Sequence, residues 1–84
     1  MNQALHPTTF HIKINTDEMA VQQPTLTFEE ICRLAFPDGP FGGNILYTVT
    51  YSGPHRGEGH MVADSVPLQL ENGLKIYVGN TDRS

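Results

Sequence analysis

The chain has 84 residues, a formal net charge of −4 and a single cysteine, Cys32. This length allows one domain with one small core, the scattered basic residues argue against nucleic acid as a partner, and no apolar stretch is long enough to cross a membrane. A lone cysteine excludes an internal disulfide and fits a reducing compartment. Because residues 1–9 also lack the charged and apolar regions of a signal peptide, we expect a cytoplasmic location.

The first regular pattern is a hairpin. Residues 1–9 are polar and predict a flexible N-terminal lead. Phe10–Ile14 then alternates apolar and polar side chains, which is typical of a half-buried strand. A polar turn over residues 15–18 follows, and a weaker alternation resumes over residues 19–22 until Pro24 ends it.

The strongest local signal is the start of a helix at Thr27. Thr27 and Glu30 fit a capping box, in which the threonine hydroxyl and the glutamate carboxylate each accept a hydrogen bond from an otherwise unpaired backbone N–H. An apolar stripe at helical spacing follows, formed by Phe28, Ile31, Cys32 and Ala35. Pro37 predicts that the helix ends at about Phe36.

The second half of the chain predicts more strands. After a loop over residues 37–44, residues 45–51 form the richest run of β-forming side chains. Both faces of this strand are partly apolar, so the pattern does not decide which one is buried. Residues 60–63 predict a short strand, and residues 64–72 predict an irregular crossing with one helical turn.

The last strand ends in a polar segment. Leu74, Ile76 and Val78 alternate with polar residues, and residues 79–84 predict a flexible C-terminal tail. The order of one helix and about five strands predicts an α+β fold, in which a mixed four- to five-stranded sheet packs on the helix. The domain itself is expected to span residues 10–78.

Candidate catalytic and metal-binding groups give weak signals. The histidines and Cys32 do not form pairs at metal-ligand spacing, so we expect no metal and no cofactor. Cys32 lies on the apolar stripe of the helix, where a cysteine usually packs as a small hydrophobic residue. The glycine-rich loop over residues 53–59 joins two strands and lacks the strand–loop–helix setting of a phosphate-binding loop. We therefore predict that the chain is not an enzyme.

The last strand offers a candidate partner-binding surface. Lys75 and Tyr77 alternate with the apolar side chains, so they point away from the core. If one face of the sheet lies open, Tyr77 stands there beside residues of the 45–51 strand, among which we include Tyr47. Exposed aromatic residues on a sheet are typical of partner sites. The alternative, that Tyr77 is an ordinary cross-strand neighbour with a solvated hydroxyl, stays open.

Four segments together carry a family resemblance. They are Phe-His-Ile-Lys-Ile at residues 10–14, Pro-Thr-Leu-Thr with Glu-Ile-Cys-Arg-Leu-Ala within residues 24–35, Val-Pro-Leu-Gln-Leu at residues 66–70, and Gly-Leu-Lys-Ile-Tyr-Val at residues 73–78. Their order resembles the ubiquitin-like β-grasp fold and, more narrowly, the bacterial multiubiquitin-type family of ubiquitin-like proteins. The resemblance covers residues 10–78.

This resemblance implies a protein modifier. Its C-terminus would be activated by an E1-like enzyme, which supplies the ATP chemistry, and passed to an E2-like enzyme that joins it to target proteins. A peptidase would trim the precursor or remove the modifier. In bacteria, such systems are linked to defence against phage. Two other functions stay open: an interaction module that is never conjugated, and a sulfur carrier.

The tail departs from that of familiar modifiers because it has no terminal Gly-Gly pair. Glycine lets a bare backbone pass through a narrow channel, so its absence counts most against the sulfur carrier. Two routes remain for a modifier. A peptidase cuts beside Gly79 or Asn80, or Ser84 itself carries the reactive carboxylate. Six extended residues reach roughly 20 Å, which is long enough to enter a catalytic cleft.

Overall fold

The structure, a computed structural model, describes residues 8–39 and 45–82. Within these residues lie one helix and seven strands: β1 (Phe10–Ile14), β2 (Asp17–Val21), β3 (Thr25–Leu26), α1 (Phe28–Ala35), β4 (Ile45–Gly53), β5 (Gly57–Met61), β6 (Leu68–Gln69) and β7 (Lys75–Asp82). Most of the N-terminal lead, most of the loop before β4, and Ser84 lie outside the described residues.

Five strands form one mixed sheet in the order β2–β1–β7–β4–β5. β1 and β7 run parallel, and the other neighbours run antiparallel. The helix α1 contacts β1, β4 and β7 from one side of the sheet, while β3 and β6 pair as a small second sheet. The predicted α+β fold, a ubiquitin-like β-grasp with a five-stranded mixed sheet on one helix, is confirmed.

The β1–β2 hairpin turns at Asn15 and Thr16. Asn15 has a φ of 57°, a left-handed conformation that asparagine adopts more readily than most residues. The backbone N–H of Asn15 donates to Ile76 C=O at 2.8 Å, and its side-chain Oδ1 accepts from Val78 N–H at 2.9 Å. Asn15 therefore forms the hairpin turn and also makes the last hydrogen bonds from this end of β1 to β7.

The start of α1 has the predicted capping box. Glu30 N–H donates to Thr27 Oγ1 at 3.1 Å, and Thr27 N–H donates to Glu30 Oε1 at 2.8 Å. The backbone hydrogen bond from Thr27 lowers the pKa of the Glu30 carboxyl, because it stabilises the charged form. Ile31 and Cys32 are buried, so the stripe faces the sheet as predicted.

The core lies between α1 and the sheet. It is formed by side chains from the helix, the strands and the crossing segment: Ile12, Ile14, Leu26, Ile31, Cys32, Val49, Met61, Leu68, Leu70, Leu74, Ile76 and Val78. On β4, Val49 is buried, Tyr47 and Tyr51 are half-buried, and Thr48 and Thr50 are exposed. The odd-numbered side of β4 therefore faces the helix, which the sequence pattern left open.

Two local predictions are wrong. The helical turn expected before the last strand is instead β6, whose Leu68 pairs with Leu26 of β3. The last strand does not end at Val78 but continues to Asp82, paired with the first half of β4. Cross-strand pairing with β4 holds these residues in a strand, although the glycine, asparagine and aspartate among them have low β-propensity.

Candidate functional site

The end of β7 pairs with the start of β4 in a region that the other strands of the sheet do not reach. Residues 79–82 are antiparallel to residues 45–48, with Gly79 opposite Thr48 and Asn80 opposite Tyr47. β1 pairs with β7 only as far as Ile76, and β5 pairs with β4 only from Val49 onward. These eight residues therefore form a two-stranded extension, which we name the C-terminal ribbon.

Backbone groups along β7 point alternately to its two neighbours. Ile76 C=O and Val78 N–H both bond to Asn15, on the side of β1. Even-numbered residues of β7 therefore direct their backbone groups toward β1, and odd-numbered residues direct theirs toward β4. It follows that the backbone N–H and C=O of Gly79 face β4. The backbone groups of Asn80 face the other side of β7, beyond the end of its pairing with β1.

The predicted site residues divide between the two faces of the sheet. Lys75 and Tyr77 lie with Gly79 on the face that points away from α1, and Tyr77 is 53% exposed. Tyr47 lies on the opposite face, where its ring centroid is 5.6 Å from that of Phe36. The structure therefore brings Tyr47 next to Asn80, its partner across the ribbon, and not next to Tyr77.

Glycine is not required at position 79 by the fold. The φ of Gly79 is outside the left-handed region, so other residues can adopt its conformation. A Cβ added there would meet only Thr48 Oγ1, at 3.3 Å. A contact of that length with an exposed hydroxyl requires a shift of a few tenths of an ångström. The presence of glycine at this position has no steric explanation in the sheet.

The open face carries both lysines of the chain. Lys13 and Lys75 are in register on the parallel strands β1 and β7, and Tyr77 follows Lys75 on the same face. A shallow groove of about 390 Å³ runs beside them. The sequence analysis did not include Lys13 in the surface, although its alternation with Ile12 and Ile14 places it on this face once β1 and β7 are known to be neighbours.

Neither lysine forms an ion pair with another described residue, although a carboxylate lies across the strands from Lys13. Arg33 and Arg56 pair with carboxylates at 2.9 Å and 2.7 Å, whereas no ion pair forms at Lys13 or Lys75 within the described part of the chain. Like charges side by side in a sheet are destabilising. Glu18, opposite Lys13 on β2, lies on the same face and lines the same groove. The open face therefore carries charges of both signs.

The groups considered for catalysis do not come together. Among residues 8–39 and 45–82, no three His, Cys, Asp or Glu side chains are placed to hold a metal ion. Burial raises the pKa of the Cys32 thiol, and the charge of Glu29 adds to this effect. A protonated, buried thiol is a poor nucleophile. The helix described here is too short and too polar to span a membrane.

A family model described as multiubiquitin matches residues 10–78. The matched region contains α1 and reaches into each strand of the main sheet, and it ends at Val78, where the ribbon begins. No curated protein and no solved structure matches the chain. Because the match covers most of the chain, the chain belongs to the multiubiquitin family of ubiquitin-like proteins.

Proposed function

We propose that this chain is a protein modifier that is conjugated through its C-terminal segment. An E1-like enzyme would activate the segment with ATP, an E2-like enzyme would transfer it to target proteins, and a peptidase would trim or release it. The observation that carries the proposal is the multiubiquitin family match over residues 10–78. Beyond that region, β7 takes residues 79–82 past the neighbouring strands β1 and β5. We place the pathway in the bacterial cytoplasm, with a role in phage defence.

The open face supplies the recognition surface of the proposed modifier. Tyr77 offers an exposed aromatic ring. Lys75 and Lys13 lie side by side on the same face, with Glu18 opposite Lys13. Such a surface fits a partner that combines an apolar contact for the ring with charges complementary to the lysines and to Glu18. Complementary charge mainly accelerates association and improves selectivity. We therefore expect the activating enzyme to bind this face and to bind it more weakly at high salt.

The reactive end has the same two routes as before. In one, the peptidase cuts beside Gly79 or Asn80 and the new carboxylate is activated. In the other, Ser84 carries the carboxylate. The ribbon bears on the first route, because a cut beside Gly79 or Asn80 falls within the paired strands.

One observation favours a second candidate, an interaction module that is not conjugated. Residues 79–82 are paired in the sheet. This arrangement is expected for a protein whose function does not require a free tail. In that case the open face around Tyr77 would be the functional part, and the C-terminal segment would only extend the sheet.

A reconstituted reaction tests the two candidates against each other. The chain is incubated with the E1-like enzyme, E2-like enzyme and peptidase encoded beside its gene, with and without ATP, and intact masses are measured. The modifier requires trimming, an ATP-dependent covalent adduct, or both, and a chain truncated after Val78 should form no adduct. Circular dichroism of the truncated chain controls for its folding.

The interaction module gives the opposite pattern. No adduct forms, truncation after Val78 leaves partner binding unchanged, and Tyr77→Ala weakens binding by about tenfold. If no adduct or trimmed product appears under any condition and truncation leaves binding unchanged, conjugation is excluded as the function.

A further inference from the structure

We infer that the start of β4 holds the C-terminal segment closed, so that enzymes can act on the bonds around Gly79 and Asn80 only after β7 separates from β4. This inference rests on the proposed function and adds regulation to it. The juxtaposition that carries it is the four-residue antiparallel pairing of residues 79–82 with residues 45–48.

The closed ribbon obstructs enzyme action for a geometric reason. Enzymes that act on a peptide tail take it as an extended chain, through backbone hydrogen bonds or a narrow channel. In the ribbon, Gly79 already directs its backbone N–H and C=O to Thr48, and β4 occupies that whole side of β7. A tail paired in this way is both wider than a single chain and engaged on one edge.

The ribbon is nevertheless the part of the sheet that can open at the lowest cost. A pair of strands without further neighbours is marginally stable in water, and neither β1 nor β5 extends along these residues. Thr48, Gly79 and Asn80 are all exposed, so separation uncovers little apolar surface at these positions. Local opening at strand ends of this kind occurs well below the free energy of global unfolding.

Contacts on the two strands predict which one moves. On β4, Tyr47 is half-buried and its ring packs against Phe36 at the end of α1. On β7, Val78 is buried and its N–H donates to Asn15 Oδ1, while the next two residues are exposed. β4 is therefore anchored to the helix, and β7 can swing away from the peptide bond that follows Val78.

Amide hydrogen exchange of the full chain, followed by NMR, tests the closed state. The amide of Gly79 faces β4 and that of Asn80 does not. After correction for intrinsic rates, Gly79 should exchange at least about tenfold more slowly than Asn80. Equal rates would mean that the ribbon is not formed in solution and would overturn the inference, whatever the outcome of the conjugation assay.

A substitution on β4 tests the gating without altering the segment itself. Thr48→Pro removes a backbone N–H that faces β7, while Thr48→Ala retains it and serves as the matched control. We expect Thr48→Pro to accelerate both Gly79 amide exchange and the reaction with the peptidase or the activating enzyme, each by about tenfold. Thr48→Ala should change both by less than about threefold.

The outcomes separate the gating from the proposed function. If Gly79 exchanges faster in Thr48→Pro but the enzymatic rate is unchanged, opening does not limit the reaction and the inference is wrong. If the wild type does not react at all, the proposed function fails, and the gating fails with it even when the exchange pattern is as expected. Thr48→Gly, which weakens the strand but keeps the N–H, replaces the proline variant if that variant does not fold.

Discussion

The substitution Gly59→Ala should destabilise the sheet, because the added methyl group would overlap the ring of Tyr51. Gly59 of β5 lies directly opposite Tyr51 of β4, and the tyrosine ring covers the glycine. A Cβ at position 59 would lie 2.5 Å from Tyr51 Cζ and 3.0 Å from Cε1, well inside normal carbon contact distances. Gly59→Ala therefore forces the ring to move. The ring is half-buried against the core, and Arg56 lies 6.0 Å from its centroid.

The size of the effect follows from two opposing terms. Overpacking that displaces a side chain costs about 1–3 kcal/mol. Replacing glycine by alanine in a strand recovers about 0.5–1 kcal/mol through the lower entropy of the unfolded chain. The free energy of unfolding of Gly59→Ala should therefore fall by up to about 2.5 kcal/mol, with a central value of about 1 kcal/mol. For a domain of this size, each kcal/mol changes Tm by about 4–8 °C.

Urea and thermal denaturation measure this effect, with Gly79→Ala as the matched control. Both glycines lie in strands, but a Cβ at position 79 meets only the exposed Thr48 hydroxyl. Gly79→Ala should leave Tm unchanged or raise it slightly. In a Tyr51→Ala background, Gly59→Ala should become stabilising because the obstructing ring is gone. If Gly59→Ala and Gly79→Ala have the same effect in the wild-type background, the assigned contact with Tyr51 is wrong.

Three further predictions concern charged groups and the cysteine. Arg56→Ala should lower the free energy of unfolding by about 1–3 kcal/mol, because it leaves the largely buried Glu71 carboxylate without its cation. The control Arg33→Ala, which removes an exposed ion pair, should cost less than about 0.5 kcal/mol. Equal losses in urea denaturation would contradict this prediction. The capping hydrogen bonds lower the pKa of Glu30 in the folded state. Their contribution to stability is therefore complete above the unfolded-state pKa, and it is lost as the pH falls from the ordinary value of 4.5 through the folded-state pKa. In thermal denaturation, acid should destabilise Glu30→Gln less than the wild type, and identical pH profiles would refute this. Cys32 is buried and the pKa of its thiol is raised. Iodoacetamide at about pH 8 should therefore modify Cys32 in the folded protein at least about 100-fold more slowly than in the urea-unfolded protein. Comparable rates would show that the thiol is accessible in the folded protein.

The elements that the sequence predicted well have strong local causes. The helix start was predictable because Thr27 and Glu30 interact within one turn, and their hydrogen bonds depend on no distant residue. The β1 strand was predictable because its side chains alternate between a buried and an exposed face. The fold class followed from the order of such elements and from the family resemblance carried by the same segments.

The features that the sequence did not predict depend on pairing across the chain. Three of the four residues 79–82 have low β-propensity, and the segment forms a strand because residues 45–48 pair with it. The buried side of β4 is decided by α1, since both sides of that strand carry apolar residues. For this reason Tyr47 was assigned to the surface of Tyr77 although it lies on the other face, and Lys13 was left out although it lies beside Lys75.

The ribbon also separates the two routes to a reactive end. The first route requires the ribbon to open, because a cut beside Gly79 falls within the paired strands. The two routes also differ in what they require of residue 79. If the peptidase cuts there, Gly79→Ala places a side chain at the processed bond and should reduce the reaction. If Ser84 carries the carboxylate, the same substitution lies five residues away and should have little effect. Since the sheet accommodates a Cβ at this position with only a small shift of the Thr48 hydroxyl, a loss of reaction in Gly79→Ala would reflect recognition by the enzyme and not a disturbed fold.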